Sequence, residues 1–486
     1  MSGNMNEMST SELNALVAAA QKTLKGKVAV DVAEVKHHGS QLILPEGMSL
    51  DGAIDLIKRR QAWETQTVKV FEEVDCFVWD GANALNDVLE EVYGWAPTSA
   101  GNSSINVEVA YGVTKAVPWG SFDLPGVQAR VDTGYTRKNG RFIFQLEAKV
   151  TRAHEHHVKA LFAKVQARVK SHSIYKGKAI KLRMRDENGE AMPLPVVEFL
   201  NTDAIKPENL IYSKDVMAQV ETNLFTPIRR VHDLIANNIP VKRGVLLAGT
   251  YGTGKTLAAT VASRIAVDNG VTYIYIPHAD ELADAVQLAK QYQSPASVIF
   301  CEDVDRVLSG DRTQGMDDIL NIIDGIDTKD ARIMVVLTTN DIKSINPAML
   351  RPGRLDGVVE VTTPDAEAVE RLIRYYGGDA ISPEADLTAA GKELAGNIPA
   401  TIAEVVKRAK LAQMSLGKAG DPLGKLDGDG LLIAAKSMSG QLRLLAERIA
   451  ADEEEKTIPP LEQSLGAVMM SAVQASIAVE RAKATA

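Results

Sequence analysis

Apolar residues recur at every second position from Phe142 through Phe144, Leu146 and Ala148 to Val150, the period of a strand with one buried face. Asn139-Gly140, just upstream, is a strong two-residue hairpin signal, so the pattern predicts a β-hairpin over 127–150. Helical spacing lies on both sides of it. Ser11-Glu12-Leu13 opens one helix, 50–93 holds at least two more, 152–170 reads as another, and a short strand follows near 179–184. Pro193, Pro195 and Pro207 then mark a join. Beyond the join the pattern changes to short continuous apolar runs at 245–248, 271–276, 298–301 and 333–337, with helical patterns from Leu257 and over 280–290. Continuous runs of this length are expected of strands buried on both faces of an open α/β sheet.

The candidate chemistry sits where those runs end. Residues 249–256 read Gly-Thr-Tyr-Gly-Thr-Gly-Lys-Thr, the GxxxxGK[ST] spacing of a phosphate-cradling loop between a strand and a helix. Its glycines let backbone N–H groups face phosphate oxygens, Lys255 reaches the outer phosphates and Thr256 offers a hydroxyl to Mg²⁺. The expected nucleotide-binding set is therefore Gly249, Thr250, Tyr251, Gly252, Thr253, Gly254, Lys255, Thr256 and Leu257. The run 297–301 leads straight into Glu302-Asp303, with Asp305 behind, as a metal-holding and water-orienting site requires. The run 333–337 ends in Thr338-Thr339-Asn340, which puts an amide at a strand's carboxyl end, where ligands of open α/β sheets sit. A proline-broken turn over 346–356 fixes Arg351 and Arg354 three residues apart.

In this order the four motifs resemble those of the AAA ATPase family, in the core branch with the valosin-containing, proteasomal and katanin ATPases. The resemblance covers about residues 205–440. It implies a P-loop AAA α/β domain with a parallel sheet and a small helical lid, using ATP and Mg²⁺. It also implies a homo-oligomeric ring, usually a hexamer, acting on a protein client. By position it implies that Glu302 and Thr256 serve the metal, that Asp303 polarises the attacking water, and that Asn340 helps hold it. Arg351 and Arg354 match the residues that complete a neighbour's nucleotide site. The domain organisation expected is helical over 1–103, a basic β-hairpin region and linker over 104–200, the P-loop domain over 201–364, the lid over 365–440 and a helical extension over 441–486.

Two departures from the family pattern bear on function. The strand ends Glu302-Asp303 where most members have Asp-Glu, so the water-polarising carboxylate is one methylene shorter, and a misplacement of about 1 Å can cost on the order of a hundredfold in rate. Only 277–297 separates the second and third apolar runs, and no aromatic-plus-glycine pore signature lies there, although 278–282 could serve instead. Both features resemble the mitochondrial Rieske-protein translocases, AAA rings that move a folded client, without their transmembrane anchor. Remodelling of a client is expected, and whether the client is threaded through the pore is left open by the sequence.

Composition narrows the classes. The chain has 486 residues, 45% of them hydrophobic, a formal charge of −9 and two cysteines, Cys76 and Cys301. Those numbers suit a multidomain cytoplasmic protein without a disulfide framework. The N-terminus has no secretory signal, and the apolar stretch 465–479 is too short to span a bilayer. All four tryptophans, Trp63, Trp79, Trp95 and Trp119, precede the P-loop domain and are expected chiefly in a core. Against the acidic total, 127–183 carries 14 Lys/Arg and three acids. Such a segment can meet nucleic acid, an acidic client or the acidic rest of the ring, which keeps a nucleic-acid-binding ATPase as the alternative. His154-Glu155-His156-His157 lacks the spacing of a zinc protease, and Asp427-Gly-Asp-Gly430 is expected to cap a lid helix rather than hold calcium.

Overall fold

The computed structural model describes residues 36–38, 41–43, 48–97, 104–186, 190–304, 331–342, 355–416 and 423–441. Strands β1 (Lys36–His38) and β2 (Gln41–Ile43) pair antiparallel. The helix Leu50–Glu64 begins at Ser49, whose side chain accepts from the Gly52 N–H at 3.1 Å. Strand β3 (Thr67–Val74) follows, then the helix Val78–Tyr93, which ends on Gly94 at φ 62. The described residues of 1–103 are thus mixed, with strands beside the helices, rather than helical. Strands β4 (Ser104–Ala110) and β5 (Val113–Pro118) form a separate hairpin. Strands β6 (Ser121–Asp123), β7 (Ala129–Lys138) and β8 (Arg141–Thr151) join β3 in a four-stranded antiparallel sheet of order β3-β8-β7-β6.

The alternating segment is β8, and its turn residues Asn139 and Gly140 both take positive φ, 50 and 80, as the tight hairpin requires. Phe144, Leu146, Ala148 and Val150 are fully buried under the helices Val78–Tyr93 and Glu155–Ser171. Gly81 is obligatory there: a Cβ on it would lie 2.3 Å from the Phe144 ring.

A seven-stranded sheet forms the second layer system. It comprises β9 (Ala179–Arg185), β10 (Ala191–Phe199), β11 (Arg243–Ala248), β12 (Thr272–Ile276), β13 (Ser297–Cys301), β14 (Ile333–Thr339) and β15 (Gly357–Glu360), in the order β10-β9-β12-β13-β14-β11-β15. All neighbours are parallel except β10 with β9. Strands β9 and β10, which the sequence assigns to the basic region and linker, are therefore the edge of the P-loop sheet. Pairing with β12 satisfies the β12 backbone and draws them in.

The central strands are apolar throughout because both faces are covered. Ile274, Ile299, Cys301, Val335 and Leu337 face a core shared with the N-terminal unit and the helix Leu282–Tyr292. Val245, Leu247, Tyr273, Phe300 and Val336 face the P-loop helix Lys255–Asp268. Each fully buried Val, Leu, Ile or Phe contributes roughly 1.5–3 kcal/mol before entropy is charged. At the first interface Tyr292 donates to Asp80 Oδ2 at 3.0 Å and accepts from the Phe77 N–H at 3.0 Å. Ser173 Oγ (2.6 Å) and the Ile174 N–H (3.0 Å) complete the Asp80 shell, and Tyr175 stacks on Phe199.

The lid comprises Ala366–Gly377, Thr388–Leu394, Pro399–Leu416 and a helix over 428–441 around Val369, Leu372, Ile402, Val405 and Leu431. Asp365 caps the first by accepting from the Ala368 N–H, and Asp427 caps the last by accepting from the Gly430 N–H, both at 2.8 Å. Of 278–282, Ala279, Glu281 and Leu282 are buried. Among the described residues no helix is long and apolar enough to cross a membrane.

Candidate active site

Four strand ends meet at one edge of the seven-stranded sheet. From β11 the chain enters the phosphate loop, where Gly249 passes so close to β15 that a Cβ would lie 2.2 Å from the Val361 carbonyl oxygen. Gly252 and Gly254 take φ 77 and 102, conformations an L side chain would resist. Gly254 caps the helix Lys255–Asp268 without a side-chain acceptor, so the first N–H groups of that helix are not capped by it. A glycine cradle ending on such a helix fits a polyphosphate. Thr253 is buried, with its hydroxyl donating to Thr250 O at 2.9 Å, while Tyr251, Thr256 and Leu257 are exposed.

Lys255 is buried and its Nζ donates to Gly249 O (2.6 Å), Thr250 O (2.9 Å) and Asn340 Oδ1 (2.8 Å). The other side of the same amide, Asn340 Nδ2, donates to Asp303 Oδ1 at 2.8 Å. Asn340 therefore joins the loop lysine to the second carboxylate beyond the end of β13. Asp303 sits at φ 43, a left-handed conformation that costs a non-glycine residue about 1 kcal/mol or more. Its N–H donates to Thr338 Oγ1 at 3.0 Å, which holds it there. Glu302 points elsewhere, accepting at Oε2 from the Tyr275 hydroxyl at 2.9 Å. A cavity of about 230 Å³, lined by Thr256, Thr260, Tyr275 and Phe300 among others, lies on the P-loop-helix side of these strands.

The structure thus brings together Gly249, Lys255, Asp303 and Asn340, with Thr256 and Glu302 beside them. A hydroxyl and a carboxylate are the hard oxygen donors that Mg²⁺ takes. Arg351, Arg354 and Asp305 lie outside the described residues. Three participants carry no motif. Tyr212, 4% exposed, donates from its hydroxyl to Gly254 O at 2.7 Å, and its own carbonyl accepts from lid Arg371 at 2.7 Å. Tyr275 is the third. Burial pushes both phenols well above the usual tyrosine range, and the bond to Glu302 adds to the rise for Tyr275. Only an apolar position in a strand, or an aromatic ahead of a helix, was visible in sequence.

Residues 245–363 match the model of the ATPase family associated with various cellular activities (AAA). This segment is an AAA ATPase domain. The parallel strands β11 to β15, in the order β12-β13-β14-β11-β15, belong to this segment, whereas the helical lid and the N-terminal α+β region lie outside the matched residues. Similar proteins include the ATP-dependent zinc metalloprotease FtsH of Corynebacterium glutamicum, 30% identical over 42% of this chain and 25% of that protein. FtsH 3 of Sphaerobacter thermophilus is 28% identical over 49% and 50%, and FtsH 3 of Petrotoga mobilis 33% identical over 35% and 29%. The chain spans between a quarter and a half of the length of these relatives. Among the described residues no three His, Cys, Asp or Glu side chains gather as a metal site. His154 Nδ1 bonds Thr151 Oγ1 at 3.0 Å and His157 Nε2 bonds the Tyr93 hydroxyl at 2.8 Å.

The basic hairpin is largely answered within the chain. Arg137 pairs with Asp284, Lys138 with Glu73, and Arg141 with Asp75 at 2.8 Å. Arg168 pairs with Glu91, and Arg183 with Glu198 at 2.5 Å. Trp79 and Trp119 meet edge to face and pack against the core, whereas Trp63 is 55% exposed under the Arg152 guanidinium.

Proposed function

We propose that this chain hydrolyses ATP in a homo-oligomeric ring, a hexamer by family habit, and uses the cycle to remodel a protein client. The carrying observation is the unbroken path Lys255, Asn340, Asp303, which couples the phosphate loop to the carboxylate that must handle the attacking water. In this reading Lys255 binds the outer phosphates once its nucleotide ligand replaces the loop carbonyls. Asn340 orients the water, and Asp303 takes up its proton. Thr256 and Glu302 would hold Mg²⁺, whose charge neutralisation on the phosphates is the chemistry it supplies when bound. Arg351 and Arg354 would reach the site of the adjacent copy and stabilise charge in the transition state.

A protein client is favoured over nucleic acid because Arg137, Lys138 and Arg141, at the hairpin tip, are engaged with acids of the same chain. The relatives' printed names, ATP-dependent metalloproteases, point to protein as the class of substrate. The test is an ATP-binding and turnover assay on Asp303→Asn. Binding is expected to persist while turnover falls by about 10²-fold or more; full-rate turnover would overturn the assignment. Mixing Lys255→Ala copies with Arg351→Ala/Arg354→Ala copies should restore part of the turnover, and no restoration would remove the shared-site ring.

A further inference from the structure

The strand that leads into the site's two carboxylates has an aromatic neighbour. Tyr275 on β12 is the register partner of Phe300 on β13, and Glu302 lies two residues beyond Phe300, on the same face. That face looks onto the P-loop helix, and Tyr275 lines the same cavity as Thr256. The Tyr275 ring is fixed on both sides. It stacks on Phe300 at 5.9 Å between centroids and 18° between planes, and Lys181, its register partner on β9, holds Nζ 5.8 Å from its centroid. From this clamp the hydroxyl donates to Glu302 Oε2 at 2.9 Å.

We infer that Tyr275 is a positioning residue for Glu302, holding this longer carboxylate at the metal side of the site. The inference rests on the ATPase reading above. Glutamate at a strand end has one more rotatable bond than aspartate, and that freedom must be frozen before it can serve a cation. A rigid phenol on the adjacent strand does so, and a carboxylate has acceptor sites left over after one such bond. The side chain at 302 and the tyrosine at 275 are thus a matched pair: an aspartate there is one methylene short of the hydroxyl. The added strand β9 has a part in this as well, since it presents Lys181 to the ring.

The experiment is equilibrium binding of a fluorescent ATP analogue to the full chain, with Mg²⁺ and with EDTA, for wild type, Tyr275→Phe, Glu302→Asp and the double variant. Binding in EDTA is the reference for each variant, and an unchanged thermal unfolding midpoint reports that the Tyr275→Phe domain is folded. The tightening brought by Mg²⁺ should fall about tenfold, the scale of one hydrogen bond to a charged group. In the Glu302→Asp background Tyr275→Phe should do nothing further, because the bond is already gone. Unchanged Mg²⁺ tightening, an equal loss in both backgrounds, or an equal loss in EDTA would each overturn the inference. A wild-type chain that binds no nucleotide at all is a different result, and it would sink the ATPase reading itself.

Discussion

Asp80 anchors the N-terminal unit to the AAA domain, and its titration should be visible in stability. It is fully buried, and burial pushes its carboxyl up from 3.8 to about 6 despite the bonds from Ser173, Ile174 and Tyr292 that favour the charged form. Between pH about 4 and about 6 the folded protein keeps a proton that the unfolded chain has lost, so stability must fall as pH rises through this window. The contribution is complete below about pH 4 and gone above about pH 6. Roughly two pKa units at 1.36 kcal/mol each make it about 3 kcal/mol.

Asp80→Asn removes the ionisation while leaving much of the bonding possible. The amide oxygen can keep the Ile174 N–H, which is fixed, and the amide N–H₂ can face the hydroxyls of Ser173 and Tyr292, which rotate to accept. Urea unfolding from pH 4 to pH 7, followed by tryptophan emission, is the assay, since all four tryptophans lie at 63–119. The stability of wild type minus that of the variant should drop by about 3 kcal/mol across the range. A difference that stays constant with pH would refute the reasoning.

Other substitutions probe the same architecture. Gly249→Ala puts a Cβ against the Val361 carbonyl and should weaken ATP binding at least tenfold in a direct titration, while leaving the N-terminal tryptophan signal in place. Gly81→Ala drives a methyl into the Phe144 ring and should destabilise the N-terminal unit by about 1–3 kcal/mol, read as a lowered unfolding midpoint. Neutralising Arg137, Lys138 and Arg141 together should cost only about 1–3 kcal/mol in all, because each pair is partly exposed, and should leave ATPase rate unaltered by added DNA. Salt-sensitive DNA binding abolished by the triple change would instead favour the nucleic-acid reading.

Much of the site was legible because its parts are local. A glycine spacing, an apolar run ending in acids and another ending in an amide each need only a few neighbouring residues, and the backbone requirements at Gly252 and Gly254 are written into residue type. The β7–β8 hairpin was equally plain, since Asn139-Gly140 and a period of two both act at short range. What the sequence alone determined, then, was the kind of chemistry and the order of its parts.

Tertiary structure decided which parts touch. Asn340 and Asp303 are 37 positions apart, and Lys255 and Asn340 are 85 apart, yet one amide bonds both. No local pattern encodes that, because it follows from the crossover order that sets β14 between β13 and β11. The same holds for Tyr275 over Glu302, for Tyr212 against Gly254 and for Asp80 beneath Tyr292, where polar groups far apart in the chain satisfy each other on burial. It holds too for β9 and β10, whose composition resembles a basic linker. They became sheet because an open edge at β12 offers backbone hydrogen bonds that composition does not reveal.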